Sequence, residues 1–189
     1  VLEKFLQEAS LPDSVALTFM RWYAGVTQSL AQRAKTGETP PLVGFSGCQG
    51  SGKSTLVALM AKVMREVHGV STVVLSLDDF YLTKAARSAL AESIHPLFAT
   101  RGVPGTHDLA LLNETIAALR QPPPGSSVPI PAFDKALDDR PEMVHWRQVS
   151  APVQLILLEG WCVGLSPQQE SELEVPVNPM EAEQDPSCV

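Results

Sequence analysis

Residues 47–54 read Gly-Cys-Gln-Gly-Ser-Gly-Lys-Ser, and this run constrains the chain more than any other stretch of its 189 residues. It fits the pattern G-x-x-x-x-G-K-[ST] at every fixed position. Gly47, Gly50 and Gly52 lack a Cβ, so successive backbone N–H groups can turn inward around one anion where side chains would block the approach. Lys53 supplies a charge for β- and γ-phosphates, and the Ser54 hydroxyl is a ligand for the magnesium ion that bridges them. A helix opening near Lys53 adds its positive end. The expected nucleotide contacts are therefore Gly47, Cys48, Gln49, Gly50, Ser51, Gly52, Lys53, Ser54 and Thr55, with ATP and Mg2+ as the implied ligands.

The pattern has this mechanism only between a strand and a helix, and the flanking residues supply both. Leu42 to Ser46 is a compact apolar run that reads as a buried strand. Residues 53–67 carry Leu56, Leu59, Met60, Val63 and Met64 on one helical face and stop at Gly69. Residues 70–77 are rich in β-branched side chains and read as a second buried strand, completing a right-handed βαβ unit. Thr106 or Asp108 is available to cap a helix through Leu119, 121–127 reads as an irregular loop, and 153–158 as a third buried strand. Ahead of all this, 10–35 reads as one amphipathic helix. Val15, Phe19, Trp22, Tyr23, Val26 and Leu30 recur along it at helical spacing, Ser10 or Asp13 is placed to cap it, and Gly37 to stop it.

Strands alternating with helices predict an α/β, three-layer phosphate-loop fold with a mainly parallel sheet and ligands at the carboxyl ends of its strands. The expected organisation is a helical extension over 1–40 followed by a nucleotide-binding domain over 41–189. A formal charge of -7 argues against nucleic acid or an anionic membrane as partner. No apolar run approaches the ~18 residues that span a bilayer, and no basic segment followed by an apolar one opens the chain, so a cytoplasmic location is expected. Cys48, Cys162 and Cys188 are odd in number and contain no C-x-x-C pair, which predicts reduced thiols.

Two carboxylates fall at strand ends. Asp78 follows the second strand and is the candidate acceptor for a hydroxyl proton in phosphoryl transfer, with Lys53 as its catalytic partner on the phosphate side. Its neighbour Asp79 reads as structural, and capping of the next turn is the plainer role open to both. Glu159 ends the third strand, where an acidic residue either holds magnesium, directly or through water, or is simply a solvated strand terminus.

Four segments extend this reading: Ser-Leu-Asp-Asp-Phe-Tyr at 76–81, Thr-Arg-Gly-Val-Pro-Gly-Thr-His-Asp at 100–108, Phe-Asp-Lys-Ala-Leu-Asp-Asp-Arg at 133–140 and Leu-Glu-Gly-Trp at 158–161. Together they resemble the uridine kinase, phosphoribulokinase and pantothenate kinase group, and most of all its plant-type D-glycerate 3-kinase branch. The resemblance implies that Asp78 is the catalytic aspartate and Glu159 the strand-end acidic residue. It also implies that Tyr81, Arg101, His107, Asp134 and Arg140 border the acceptor pocket. Arg101 or Arg140 would hold an acceptor carboxylate through two hydrogen bonds; surface positions for the arginines, and a helix-start position for His107, are the alternatives. Trp146 and Trp161 read as packing. The implied reaction is transfer of the ATP γ-phosphate to a small hydroxy acid, D-glycerate first, with pantothenate, uridine or a sugar phosphate as other acceptors. A regulatory NTPase or a non-catalytic nucleotide binder is the competing class. The end of the chain resembles a mid-protein segment of such kinases. From this we expect an incomplete lid over ATP, weak nucleotide binding and slow catalysis. Apolar surface normally covered by the missing elements would be exposed, which predicts poor solubility, partnering or a disordered tail after about Gly164.

Overall fold

Every residue of the strand Leu155–Gly160 is buried in the computed structural model, which describes residues 1–123 and 125–185. Pro124 of the expected 121–127 loop and Cys188 lie outside the described residues. In chain order the elements are helices α1 (Leu2–Glu8), α2 (Ser14–Thr18) and α3 (Ala24–Thr36), strand β1 (Leu42–Ser46), helix α4 (Lys53–Glu66) and strand β2 (Thr72–Ser76). Helices α5 (Lys84–Ser93) and α6 (Leu109–Arg120) follow, then strands β3 (Ser127–Ile130), β4 (Arg147–Ser150) and β5 (Leu155–Gly160). Two short helices, α7 (Glu170–Leu173) and α8 (Pro179–Gln184), close the described chain.

The main sheet has the order β1-β5-β2, all parallel, so α4 carries the chain past a lane that β5 later fills. Register pairs Ser46 with Gly160 and Ser76 with Glu159, which aligns the three carboxyl ends. β5 divides its side chains between two cores. Leu155 and Leu157 meet α4 and the N-terminal helices on one face, while Ile156 and Leu158 meet α6 and β3 on the other. This strict alternation under full burial makes the three-layer α/β sandwich expected of a central parallel strand.

Several expectations shift. The stretch 10–35 is not one regular helix: α2 and α3 are joined by a π turn over Phe19–Tyr23, and Ser10 has a left-handed φ of 53° ahead of it. The wider π turn rotates the register of the residues after it. The buried line therefore runs Phe19, Thr27, Ala31, Ala34, and Trp22, placed on the apolar face by simple spacing, is 63% exposed, with Val26 also exposed. These helices share one core with α4. Asp108, not Thr106, caps α6 by accepting the Leu111 N–H at 3.0 Å, while the Thr106 hydroxyl donates to Val103 O. β2 is shorter than 70–77, and β5 runs two residues beyond 158 to include Glu159 and Gly160. The antiparallel β3–β4 pair and α5 were not expected, and α1 lies within the expected helical extension. Helices α7 and α8 stand in the stretch after Gly164 where a disordered tail was one of the expected outcomes, residues 186–189 of it lying outside the described residues. Cys48 and Cys162 are free thiols, and among the described residues no helix is long and apolar enough to cross a membrane.

Candidate active site

The phosphate loop takes the conformation its glycines allow. Gly50 and Gly52 have φ of +75° and +83°, and a Cβ on Gly47 would lie 3.0 Å from Ser51 Oγ. The loop is tied to the sheet by the Gly47 N–H, which donates to Gly160 O at 3.4 Å, and α4 then starts at Lys53. Lys53 has no ion-pair or hydrogen-bond partner among the described residues. Together with Cys48, Ser51 and Thr55 it lines a cleft of about 770 Å³ between the loop, β1 and the aromatic rings of Phe19 and Tyr23. Gln49 and Gly50 are exposed at the loop's tip.

Below the loop the three strand ends converge on Glu159. Ser54 Oγ and Ser76 Oγ each donate to Glu159 Oε1 at 3.0 Å, and Glu159 Oε2 is buried with no partner. Gly160 is required beside it, since a Cβ there would come within 2.7 Å of Leu77 Cβ and 2.9 Å of Val163 Cγ2. The donor set is all oxygen, one carboxylate and two hydroxyls, and among the described residues no group of three or more His, Cys, Asp or Glu is placed to hold a metal ion. That set fits Mg2+, which takes few protein ligands and completes its octahedron with water and phosphate oxygens. The unpartnered Oε2 is the observation that favours a cation here.

Across from this corner, a 3-10 turn over Leu77–Phe80 presents Asp78 and Asp79. Asp78 Oδ2 accepts from Lys135 Nζ at 2.8 Å, and its Oδ1 lies 3.5 Å from the Tyr81 hydroxyl. Asp79 accepts the Phe133 N–H at 3.3 Å; burial pushes its carboxyl up from the ordinary range, and that N–H opposes the shift. The Tyr81 ring stacks on His107 at 4.4 Å and meets Phe133 edge-on at 5.4 Å. Burial, with the Asp78 charge beside it, pushes the Tyr81 phenol up to about 12. Burial lowers the His107 imidazole, Asp78 opposes this, and Nε2 is buried without a partner.

Three of the expected pocket residues turn into the protein's own framework. Arg101 pairs with Asp138. Arg140 donates to Tyr81 O at 2.8 Å and to Asp108 Oδ2 at 3.1 Å. Asp134 Oδ1 accepts the N–H groups of Ala136 and Leu137 at 2.8 and 3.1 Å. Sequence reading missed Ser76, Lys135, and the fully buried Arg87, which bonds Leu82 O, Ala99 O and both the carbonyl and carboxylate of Asp138. A lone serine or loop lysine has no periodicity to betray it, whereas Lys135 does lie within the segment 133–140 singled out above. Trp146 is buried, its Nε1 donating to Pro141 O at 2.9 Å, and Trp161 is half-buried at the end of β5.

A phosphate loop between β1 and α4, on a parallel sheet whose central strand ends in a carboxylate, is the architecture of a P-loop kinase. No family model matches the chain. It is 37% identical over 160 residues to the uncharacterized kinase mug58 of Schizosaccharomyces pombe, covering 79% of this chain and 56% of that protein. It is 36% identical over 138 residues to the chloroplastic D-glycerate 3-kinase of Arabidopsis thaliana, covering 69% of this chain and 30% of that protein. The solved D-glycerate 3-kinase of Cryptococcus neoformans superposes with a TM-score of 0.67 at 32% identity, over 82% of this chain and 56% of that one. The chain is thus a homologue of the P-loop kinases that include D-glycerate 3-kinase. It spans about half, or less, of the length of the curated relatives it matches.

Proposed function

We propose that this chain carries the phosphoryl-transfer site of an ATP-dependent kinase whose acceptor is a small hydroxy acid, with D-glycerate, giving 3-phosphoglycerate, as the first candidate. The observation that carries the reading is the meeting of Ser54, Ser76 and Glu159 at the strand ends, with Asp78 two residues beyond Ser76. The backbone N–H groups of 47–54 and the Lys53 ammonium hold the phosphates in register. Ser54 and Glu159 would hold Mg2+, which when bound would supply positive charge to offset that of the phosphates. Asp78 receives the acceptor's hydroxyl proton as that oxygen bonds to the γ-phosphorus; the bond from phosphorus to the β–γ bridging oxygen breaks, and ADP departs. Tyr81 with His107 stacked on it, and Phe133 edge-on to Tyr81, give a largely apolar wall beside Asp78 that keeps water from competing with the acceptor.

The test is an ATP-consumption assay over D-glycerate, pantothenate, uridine and ribulose 5-phosphate. Turnover should depend on D-glycerate, and Lys53→Ala should lose nearly all of it while remaining folded by circular dichroism. Asp78→Asn should lower kcat by about 100-fold or more with ATP affinity little changed, and Asp79→Asn should be milder. ATP hydrolysis that no hydroxyl acceptor stimulates would overturn the kinase reading. Equal loss of nucleotide affinity in both aspartate variants would remove Asp78 from the role of base.

A further inference from the structure

A hydroxy-acid acceptor needs a cation for its carboxylate within reach of Asp78, and the segments expected to border the acceptor offer Arg101, Arg140 and Lys135. The first two are committed elsewhere. Arg101 is paired with Asp138, whose other carboxylate oxygen is held at 2.9 Å by the fully buried Arg87. Arg140 divides its NH2 group between Tyr81 O and Asp108 Oδ2, and Asp108 uses its other oxygen to cap α6. Moving Arg101 toward a ligand would take the donor from Asp138 Oδ1, and moving Arg140 would take it from Asp108 Oδ2 and the Tyr81 carbonyl, a costly exchange in a half-buried network.

Lys135 differs in each respect. Its side chain is 61% exposed, and its one partner among the described residues is Asp78. A single exposed pair of this kind is weak and readily exchanged. The backbone that carries it is nevertheless fixed on both sides. Asp79 holds the Phe133 N–H, Asp134 caps its own turn and bridges to Asp139, and Arg87 holds Asp138. A rigid loop therefore delivers a mobile ammonium to the candidate base. The Lys135–Asp78 pair, 2.8 Å apart, is also the chemical complement of a short hydroxy acid: the acid's carboxylate suits the ammonium and its hydroxyl suits the aspartate.

We propose that Lys135 is the carboxylate-binding residue of the acceptor site. Its ammonium exchanges Asp78 for the acceptor's carboxylate, which orients the acceptor and frees Asp78 Oδ2 to receive the hydroxyl proton. The role rests on the hydroxy-acid reading above and assigns the residue that would distinguish a small hydroxy acid from a polyol of the same size.

The experiment compares D-glycerate with glycerol, which keeps the hydroxyls and lacks the carboxylate, for the wild type, Lys135→Ala and Lys135→Arg. The wild type should prefer D-glycerate. Lys135→Ala should raise the KM for D-glycerate about tenfold or more, leave the KM for ATP within about twofold, and collapse the preference over glycerol, while Lys135→Arg should restore part of it. A Lys135→Ala enzyme that keeps the wild-type preference would show that the carboxylate binds elsewhere, and a rise confined to the KM for ATP would assign Lys135 to the nucleotide. Both outcomes overturn this role and leave the kinase reading intact. A wild type that uses glycerol as well as D-glycerate, or neither, would overturn the hydroxy-acid reading and Lys135's role with it.

Discussion

His107 shows how one residue's surroundings become a property of the whole protein. Its ring lies against Tyr81, its Nε2 has no partner, and burial depresses its pKa below the ordinary histidine value of about 6.5. Asp78 is the charge that works against this shift. A depressed folded-state pKa means that, once pH falls below about 6.5, the unfolded chain binds a proton the folded chain resists. The stability this imidazole contributes is complete above that value and is lost as pH falls toward the folded pKa. We predict that the urea midpoint declines as pH is lowered from about 7 to about 5, and that His107→Gln flattens the decline. An unchanged slope in the variant would place the effect in other groups. The same burial favours the neutral ring over the charged one where it stacks on Tyr81.

At the scale of elements, α6 illustrates how a cap becomes part of a site. Asp108 satisfies the Leu111 N–H with one oxygen and Arg140 with the other, so the start of a helix and the placing of Arg140 against the Tyr81 carbonyl depend on the same carboxylate. Thr83 caps α5 in a similar way, accepting the Ala86 N–H at 3.3 Å, but its hydroxyl supports no ion pair. Loss of a cap alone costs about 1 kcal/mol. Asp108→Ala should therefore cost clearly more than Thr83→Ala in denaturant unfolding, because it also strands a guanidinium that is largely buried and whose Nε already lacks a partner. Equal losses would show that the ion pair contributes nothing beyond the cap.

For the whole molecule, β5 is the element on which both layers depend. Leu157 is fully buried in the core shared by α4 and the N-terminal helices, so Leu157→Ala opens a cavity that the neighbouring strands and helices can only partly close. We expect a loss of about 2–5 kcal/mol, a large share of the roughly 5–15 kcal/mol that holds a domain together. The exposed Leu165, just beyond the strand, should tolerate alanine within about 0.5 kcal/mol. Thermal unfolding of the two variants side by side measures the contrast, and a similar small shift for both would contradict the central position of β5. Glu159 is held by the same strand, so a lesion in its core should also loosen the corner where Ser54 and Ser76 meet.

What the sequence determined by itself is what short-range physics controls. The glycines of 47–54 fix a loop, the spacing of Leu59, Met60 and Val63 fixes the helix after it, and the apolar run before Glu159 fixes a buried strand; each depends on neighbours a few residues away. For the same reason Asp78 and Glu159 could be read as strand-end carboxylates. The π turn escaped, because a widened helical turn leaves no mark in the spacing of the residues before it. Only the tertiary structure decided which charges and hydroxyls meet. Ser54 and Ser76 reach Glu159 across 105 and 83 residues because β5 enters between β1 and β2. Lys135 reaches Asp78 across 57 residues, while Arg101 and Arg140 pair with Asp138 and Asp108. A charge carries no record in sequence of its partner, since pairing follows from strand order and loop packing, and these are properties of the folded chain as a whole.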